Sequence, residues 1–296
     1  MNTRRHFLNR SAAATVASVL GLQITRAQAL RPEGDNINFG LCTYMWGAEW
    51  DIATIIANLK QLGIKGVELR VDHAHKVSPD LTPDQRAAVR RTFEEAEITL
   101  IGMGTNAEFD SPDAAKLKAN LELAKQYIKL SHDIGGSGVK VKPNALHEKD
   151  DVPVQKTLEQ IGRALAELGD YSIGFGQEIR LEVHGGITNL AHIKTIMEVA
   201  AADNVRVCWN SNPADLEGEG IEKNFSLIKD HIGHTTHIHE LDSVKYPYEK
   251  LARLLVDADY DGWVLMEASS KPADKAQALG EQKALWDKML VAARTK

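Results

Sequence analysis

From Asn36 onward the chain alternates between two hydrophobic periodicities. Short, predominantly apolar runs of strand length occupy residues 37–44, 66–70, 99–104, 138–142, 179–184, 205–210, 235–241 and 263–267, which makes eight predicted strands. Between them apolar residues recur at helical spacing. Ile52, Ile55, Ile56 and Leu59 form one stripe of a segment over residues 51–62 that stops at Gly63, a helix-ending glycine. Thr82-Pro83-Asp84-Gln85 reads as an N-cap with Pro at the first helical position and Gln three residues after the cap, so a helix is predicted from there to about Ala96. Ser111-Pro112-Asp113 repeats the device for a long helix ending near Ile134 and Gly135. Residues 157–168, 189–202, 221–232 and 248–257 follow the same plan, and residues 272–293 close the chain.

Strands spaced by helices imply right-handed parallel crossovers and a parallel sheet. Eight such units in 296 residues predict a closed α/β barrel, a (β/α)8 TIM barrel, formed as one domain over residues 30–296. No Gly-x-Gly-x-x-Gly follows the first strand, no phosphate-cradling glycine loop ends in Lys-Ser or Lys-Thr, and no compositional break divides the chain. The polar loop over residues 144–153 is placed on the barrel rim. In this architecture chemistry gathers at the C-terminal ends of the strands.

Composition changes the picture at the N-terminus. Thr3-Arg4-Arg5-His6-Phe7-Leu8 opens a basic region, residues 11–24 are small and weakly apolar, and Ala27-Gln28-Ala29 has the form of a signal-peptidase site. This resembles a twin-arginine export signal, which implies a periplasmic protein whose mature chain starts at Leu30. The apolar stretch is too short for a spanning helix, which needs roughly 20 residues, so no membrane association is expected once the signal is removed. Removing residues 1–29 takes away four arginines and no acid, leaving 31 basic and 41 acidic residues and a formal charge of −10. With its lysines and arginines scattered, the chain shows no nucleic-acid footprint. Cys42 and Cys208 read as small core residues rather than a disulfide. A homo-oligomer stays open.

Side chains of one parity on a strand share one face. Glu182 and His184 share a parity on the fifth strand, Asn210 and Asn212 on the sixth, and His237 and His239 on the seventh; Glu267 ends the eighth. Two carboxylates, one or two imidazoles and an amide oxygen thus converge on one mouth, a thiolate-free set that suits Mn²⁺, Mg²⁺, Fe²⁺ or Co²⁺ better than a structural Zn²⁺. His237, one step deeper, reads as a barrel-core or supporting histidine. His184 either orients Glu182 or touches substrate. His73 and His75 are loop or rim residues at best. Lys140 and Lys142 share a parity on the fourth strand; Lys142, nearer the strand end, either stabilises an oxyanion or exchanges protons, or else pairs with Glu68 or Glu182.

The glutamate ending strand five, His237-Ile238-His239-Glu240-Leu241-Asp242, and Tyr260-Asp261-Gly262 running into Glu267, together with Gly66-Val67-Glu68-Leu69-Arg70, resemble the xylose-isomerase-like barrels of the sugar phosphate isomerase/epimerase family over residues 37–270. The resemblance implies a metal-dependent enzyme acting on a keto-sugar or sugar derivative by proton abstraction next to a carbonyl, through an enediolate. It implies a small carbohydrate substrate and a divalent metal (Mn, Mg, Co, Fe or Zn) on Glu182, Asn210, His239 and Glu267. Asn210 stands where the family usually has Asp, and its uncharged oxygen holds a cation less tightly. Glu182, Glu267 and Lys142 are the expected catalytic groups; His184, Glu68, Arg70, Asn212, His237 and Asp242 are the expected substrate or supporting contacts. Two other readings use the same site: a lyase or dehydratase that follows proton abstraction with β-elimination on an oxidised sugar or glycoside, and a non-catalytic sugar-binding barrel.

Overall fold

The helix-start signals are used as the sequence predicts. Asp51 accepts a hydrogen bond from the Thr54 amide at 2.8 Å, and Gly63 closes the same helix in the left-handed region at φ 65°. Thr82 and Gln85 form a reciprocal capping box with Pro83 at the first turn. The structure is a computed structural model that describes residues 36–295, so the export signal and Leu30 lie outside the described residues.

The strands are β1 (Asn38–Cys42), β2 (Gly66–Arg70), β3 (Thr99–Glu108), β4 (Gly138–Lys142), β5 (Glu178–Glu182), β6 (Val205–Cys208), β7 (Thr235–Ile238) and β8 (Trp263–Met266). The helices between and after them are α1 (Ile52–Leu62), α2 (Pro83–Glu95), α3 (Ala114–Asp133), α4 (Val154–Ile173), α5 (Leu190–Ala200), α6 (Ile221–Ile228), α7 (Tyr248–Asp257) and α8 (Lys275–Arg294). All recorded ladders are parallel, in the order β6-β5-β4-β3-β2-β1-β8-β7. Between β6 and β7 the ring is closed by two isolated parallel bridges, Val207 with Ile232 and Asn210 with His237. The His237 amide donates to the Trp209 carbonyl at 2.7 Å and the Gly233 amide to Val207 at 2.9 Å. The result is the predicted (β/α)8 barrel.

Several bounds differ from the expectation. β3 runs on to Glu108, α4 begins at Val154 directly after Pro153, and α6 ends at Ile228, where a 3₁₀ turn over Lys229–His231 takes over. β6, β7 and β8 stop one to three residues short of their predicted ends, so Asn210, His239 and Glu267 lie just past the ladders. There side chains replace backbone pairing: Asn212 Nδ2 donates to the carbonyls of Val183 and Asn210, both at 2.7 Å.

Outward-facing Val67, Leu69, Val139, Val141, Ile179 and Leu181 are buried beneath the helices. Inside, Trp263 and Leu265 fill the lower barrel opposite glycines; a Cβ on Gly66 would lie 2.3 Å from the Trp263 ring. Arg180, wholly buried, closes the floor by donating to Glu178 at 2.8 Å, the Ile101 carbonyl at 3.2 Å and Ser137 Oγ at 2.8 Å. A buried guanidinium survives only with such partners. Cys42 and Cys208 are free and buried, as expected. No helix among the described residues is long and apolar enough to cross a membrane.

Candidate functional site

Above the apolar floor, alternate strand positions bring an ionisable tier into the barrel. Glu68 of β2, Lys140 of β4, Glu182 of β5 and His237 of β7 meet Asn210 and Glu267 from just beyond β6 and β8. His237 is at the centre: its Nδ1 lies 3.2 Å from Glu182 Oε1 and 3.1 Å from Glu267 Oε2, and its Nε2 lies 3.3 Å from Glu68 Oε1. Lys140 Nζ pairs with Glu182 Oε2 at 2.5 Å, both side chains being 1% exposed. Asn210 Nδ2 donates to Glu182 Oε1 at 3.0 Å and Glu267 Oε2 at 3.4 Å, while its Oδ1 is buried without a partner. The Cys42 thiol stands 3.7 Å from both Glu68 and Glu267.

Mutual neutralisation sets the charges. Burial opposes ionisation of Glu182, but the Lys140 ammonium and His237 outweigh it and hold the carboxyl well below the usual range. Burial likewise opposes Glu267 and Glu68, and His237 holds both below their ordinary values. His237 itself is pushed down by burial, yet Cys208, Glu267 and Glu68 raise it well above an ordinary histidine. Burial, then Glu267, pushes the Cys42 thiol well up, so it stays protonated. The tier is therefore a set of carboxylates tied together by an ammonium and an imidazolium.

The structure sorts the predicted residues by height. Glu182, Glu267, Asn210, Glu68 and His237 come together. His239 does not join them: half-buried, it directs Nδ1 to the Glu267 carbonyl at 3.0 Å and its amide to Tyr248 Oη at 3.1 Å. The imidazole between the carboxylates is His237, because β7 enters the tier one inward-facing position earlier than the strand-end pattern suggests. Lys142 likewise stands one step above the tier, with Nζ donating to Asn106 Oδ1 at 3.2 Å; the lysine paired with Glu182 is Lys140. Arg70 lies at the same upper level and donates to Asn106 Oδ1 at 3.0 Å. His184 is half-buried beside them with Nδ1 unpartnered. Asn212 is committed to the backbone carbonyls, and Asp242 is exposed and accepts from Gln282 at 3.2 Å. Sequence reasoning missed Cys42 as a neighbour of the tier, although its inward parity on β1 carries that signal.

Volume alone points elsewhere. A surface groove of about 990 Å³ between α1 and α8 contains none of these groups. The barrel mouth is singled out by its buried charge.

A family model described as "Xylose isomerase-like TIM barrel" matches residues 56–289. No curated protein sequence matches the chain. Among solved structures, an L-ribulose 3-epimerase superposes with a TM-score of 0.74 at 16% identity, covering 87% of this chain and 96% of that one. A 3-keto-D-glucoside 4-epimerase from E. coli gives 0.71 at 15%, covering 86% and 99%. A D-allulose 3-epimerase from Methylomonas sp. in complex with D-allulose gives 0.69 at 18%, covering 86% and 97%. At these identities the likeness is one of fold. With eight parallel strands, an ionisable tier at their C-terminal ends and a family model spanning most of its length, the chain belongs to the xylose isomerase-like TIM barrel family.

Proposed function

We propose that this barrel is a metal-assisted sugar epimerase or isomerase that works by proton abstraction beside a carbonyl. One observation carries the reading: Glu182 and Glu267, both buried and both held ionised, flank a single nitrogen of His237 at 3.2 and 3.1 Å. Two carboxylates facing one small space suit an exchange of protons at the two faces of a sugar carbon. The epimerase structures that share the fold agree with this reading.

The residues fit a divalent cation. Glu182, His237 and Glu267 offer ligand atoms that all lie within 4.8 Å of one another. Asn210 Oδ1 and Glu68 Oε2 are buried acceptors without partners, which is costly unless something positive meets them. Glu182, His237, Glu267 and Asn210 would hold the ion, His237 giving up its proton on binding. A bound ion would polarise a substrate carbonyl and its neighbouring hydroxyl and so acidify the adjacent C–H. One carboxylate then takes the carbon-bound proton and the C–H electron pair moves into the enediolate; the other carboxylate, once it has taken up a proton from solvent, gives that proton to the opposite face, and the first releases its own to solvent. Lys140 keeps Glu182 ionised for this exchange.

The test is deuterium incorporation. Incubated in heavy water with Mn²⁺ and a panel of keto-sugars, the protein should place deuterium at a single sugar carbon without forming a β-elimination product. Glu267→Gln should cut both the rate and the bound metal, the rate by about 100-fold or more. An elimination product would move the protein to the lyases. Absence of exchange across the panel, with sugar still bound, would leave a binding barrel.

A further inference from the structure

Resting on that reading, we propose that the sugar substrate carries a carboxylate, seated by Arg70 and Lys142 on a second tier directly above the buried carboxylates. The parity that turns Glu68 and Lys140 into the barrel carries to Arg70 and Lys142 two residues later on β2 and β4. Arg70 Nη2 and Lys142 Nζ converge on one neutral oxygen, Asn106 Oδ1, at 3.0 and 3.2 Å. Two cations thus share an acceptor that has no charge to give them.

The surrounding acids do not supply it. Glu182 is taken by Lys140 at 2.5 Å. Glu108, whose register places it beside Lys142, accepts from Asn144 Nδ2 at 3.0 Å. Among the described residues neither Arg70 nor Lys142 has a carboxylate within ion-pairing distance, and Arg70 Nε is buried without any partner. Burial, then Lys140 and Arg70, pulls the Lys142 ammonium below its ordinary value, and the more distant carboxylates of Glu182 and Glu108 offset this only in part.

The seat is preorganised and reachable. Arg70 Nη1 is fixed to the carbonyls of Gly104 and Thr105 at 2.8 and 3.0 Å, and the guanidinium lies 6.0 Å from the partly exposed Tyr44 ring. Arg70 is buried, and the seat opens through Lys142, half-buried, and Asn106, exposed. The charge balance points the same way. Glu68, Glu182 and Glu267 against Lys140 and a divalent ion, with His237 neutral as a ligand, sum to zero. Above them Arg70 and Lys142 bring two positive charges against one nearby carboxylate, Glu108, which is turned to Asn144, so the upper tier keeps a net positive charge where a substrate's far end would lie. Two donors that already meet at one planar amide suit the two oxygens of a planar carboxylate. A phosphate would bring a third oxygen with no donor waiting for it.

Binding to the Mn²⁺-loaded protein, read by calorimetry at low salt, tests this with three probes: 5-keto-D-gluconate, D-fructose and D-fructose 6-phosphate. The keto acid should bind at least about tenfold more tightly than fructose, the scale of one charge-assisted hydrogen bond. Lys142→Met should bring that ratio close to one, Lys142→Arg should retain most of it, and added salt should narrow it. Equal affinity for the acid and fructose, or an unchanged ratio in Lys142→Met, overturns the proposal; tighter binding of the phosphate ester overturns the choice of carboxylate. Because affinity and deuterium uptake are measured separately, the two readings separate. An acid that binds but takes up no deuterium sinks the epimerase and keeps the seat, while exchange into fructose with no preference for the acid does the reverse.

Discussion

Asp215 sits in the 3₁₀ turn after β6, fully buried, where it accepts from Tyr246 Oη at 2.6 Å and the Asn212 amide at 2.9 Å while its Oδ1 has no partner. Burial pushes its carboxyl up to about 7, outweighing both hydrogen bonds. The folded protein thus keeps a proton that the unfolded chain releases near its ordinary value of 3.8. Stability from this residue is fully present at acid pH and is lost as pH rises from about 4 to about 7. Asp215→Asn should remove that slope. Between pH 5 and pH 8 the wild type should lose on the order of 2 kcal/mol more unfolding free energy than the variant, measured by urea midpoints; parallel curves would sink the assignment. The same scale shows the limit of reading a site from strand parity. Alternation alone puts Glu182 and the Lys140–Lys142 pair on a shared face, while Glu68 is legible only through the resemblance of its strand. His237 against His239, and Lys140 against Lys142, differ by one inward step of roughly 6.6 Å. Which step meets the carboxylates depends on the stagger between strands, and no single strand encodes that.

At the scale of elements, the legible features were those with a local cause. Asp51, the Thr82–Gln85 box and Asp113 start helices because their side chains satisfy amides that the helix cannot. Eight strands were countable because each is a short apolar run between such signals. The departures have tertiary causes. β3 extends past Gly104 because Glu108 finds a partner position at Lys142 of β4. β6 and β7 end early because Asn210, Asn212 and His239 turn from ladder partners into side-chain and loop contacts. The Tyr246–Asp215 contact joins residues 31 apart in sequence, with no periodic pattern to announce it.

For the whole molecule, we propose export by the twin-arginine route and folding of residues 30–296 as a single domain. Sequencing of the mature protein from a periplasmic fraction should begin at Leu30, and Met1 found there would refute the route. The seam between β6 and β7 bears on the behaviour of the entire ring. Seven strand junctions are held by ladders, whereas this one rests on two bridges. Of the residues proposed to hold the ion, Glu182 and Asn210 approach from one side of that junction, and His237 and Glu267 from the other. A cation there would act as a clasp across the weakest joint of the barrel, so loading the site and fastening the ring become one event. Native-state hydrogen exchange should then find the amides of Gly233 and His237 opening sooner than those of the β4–β5 ladder in metal-free protein, and slowing most when Mn²⁺ is added. Uniform protection with and without the ion would show that the seam closes without it.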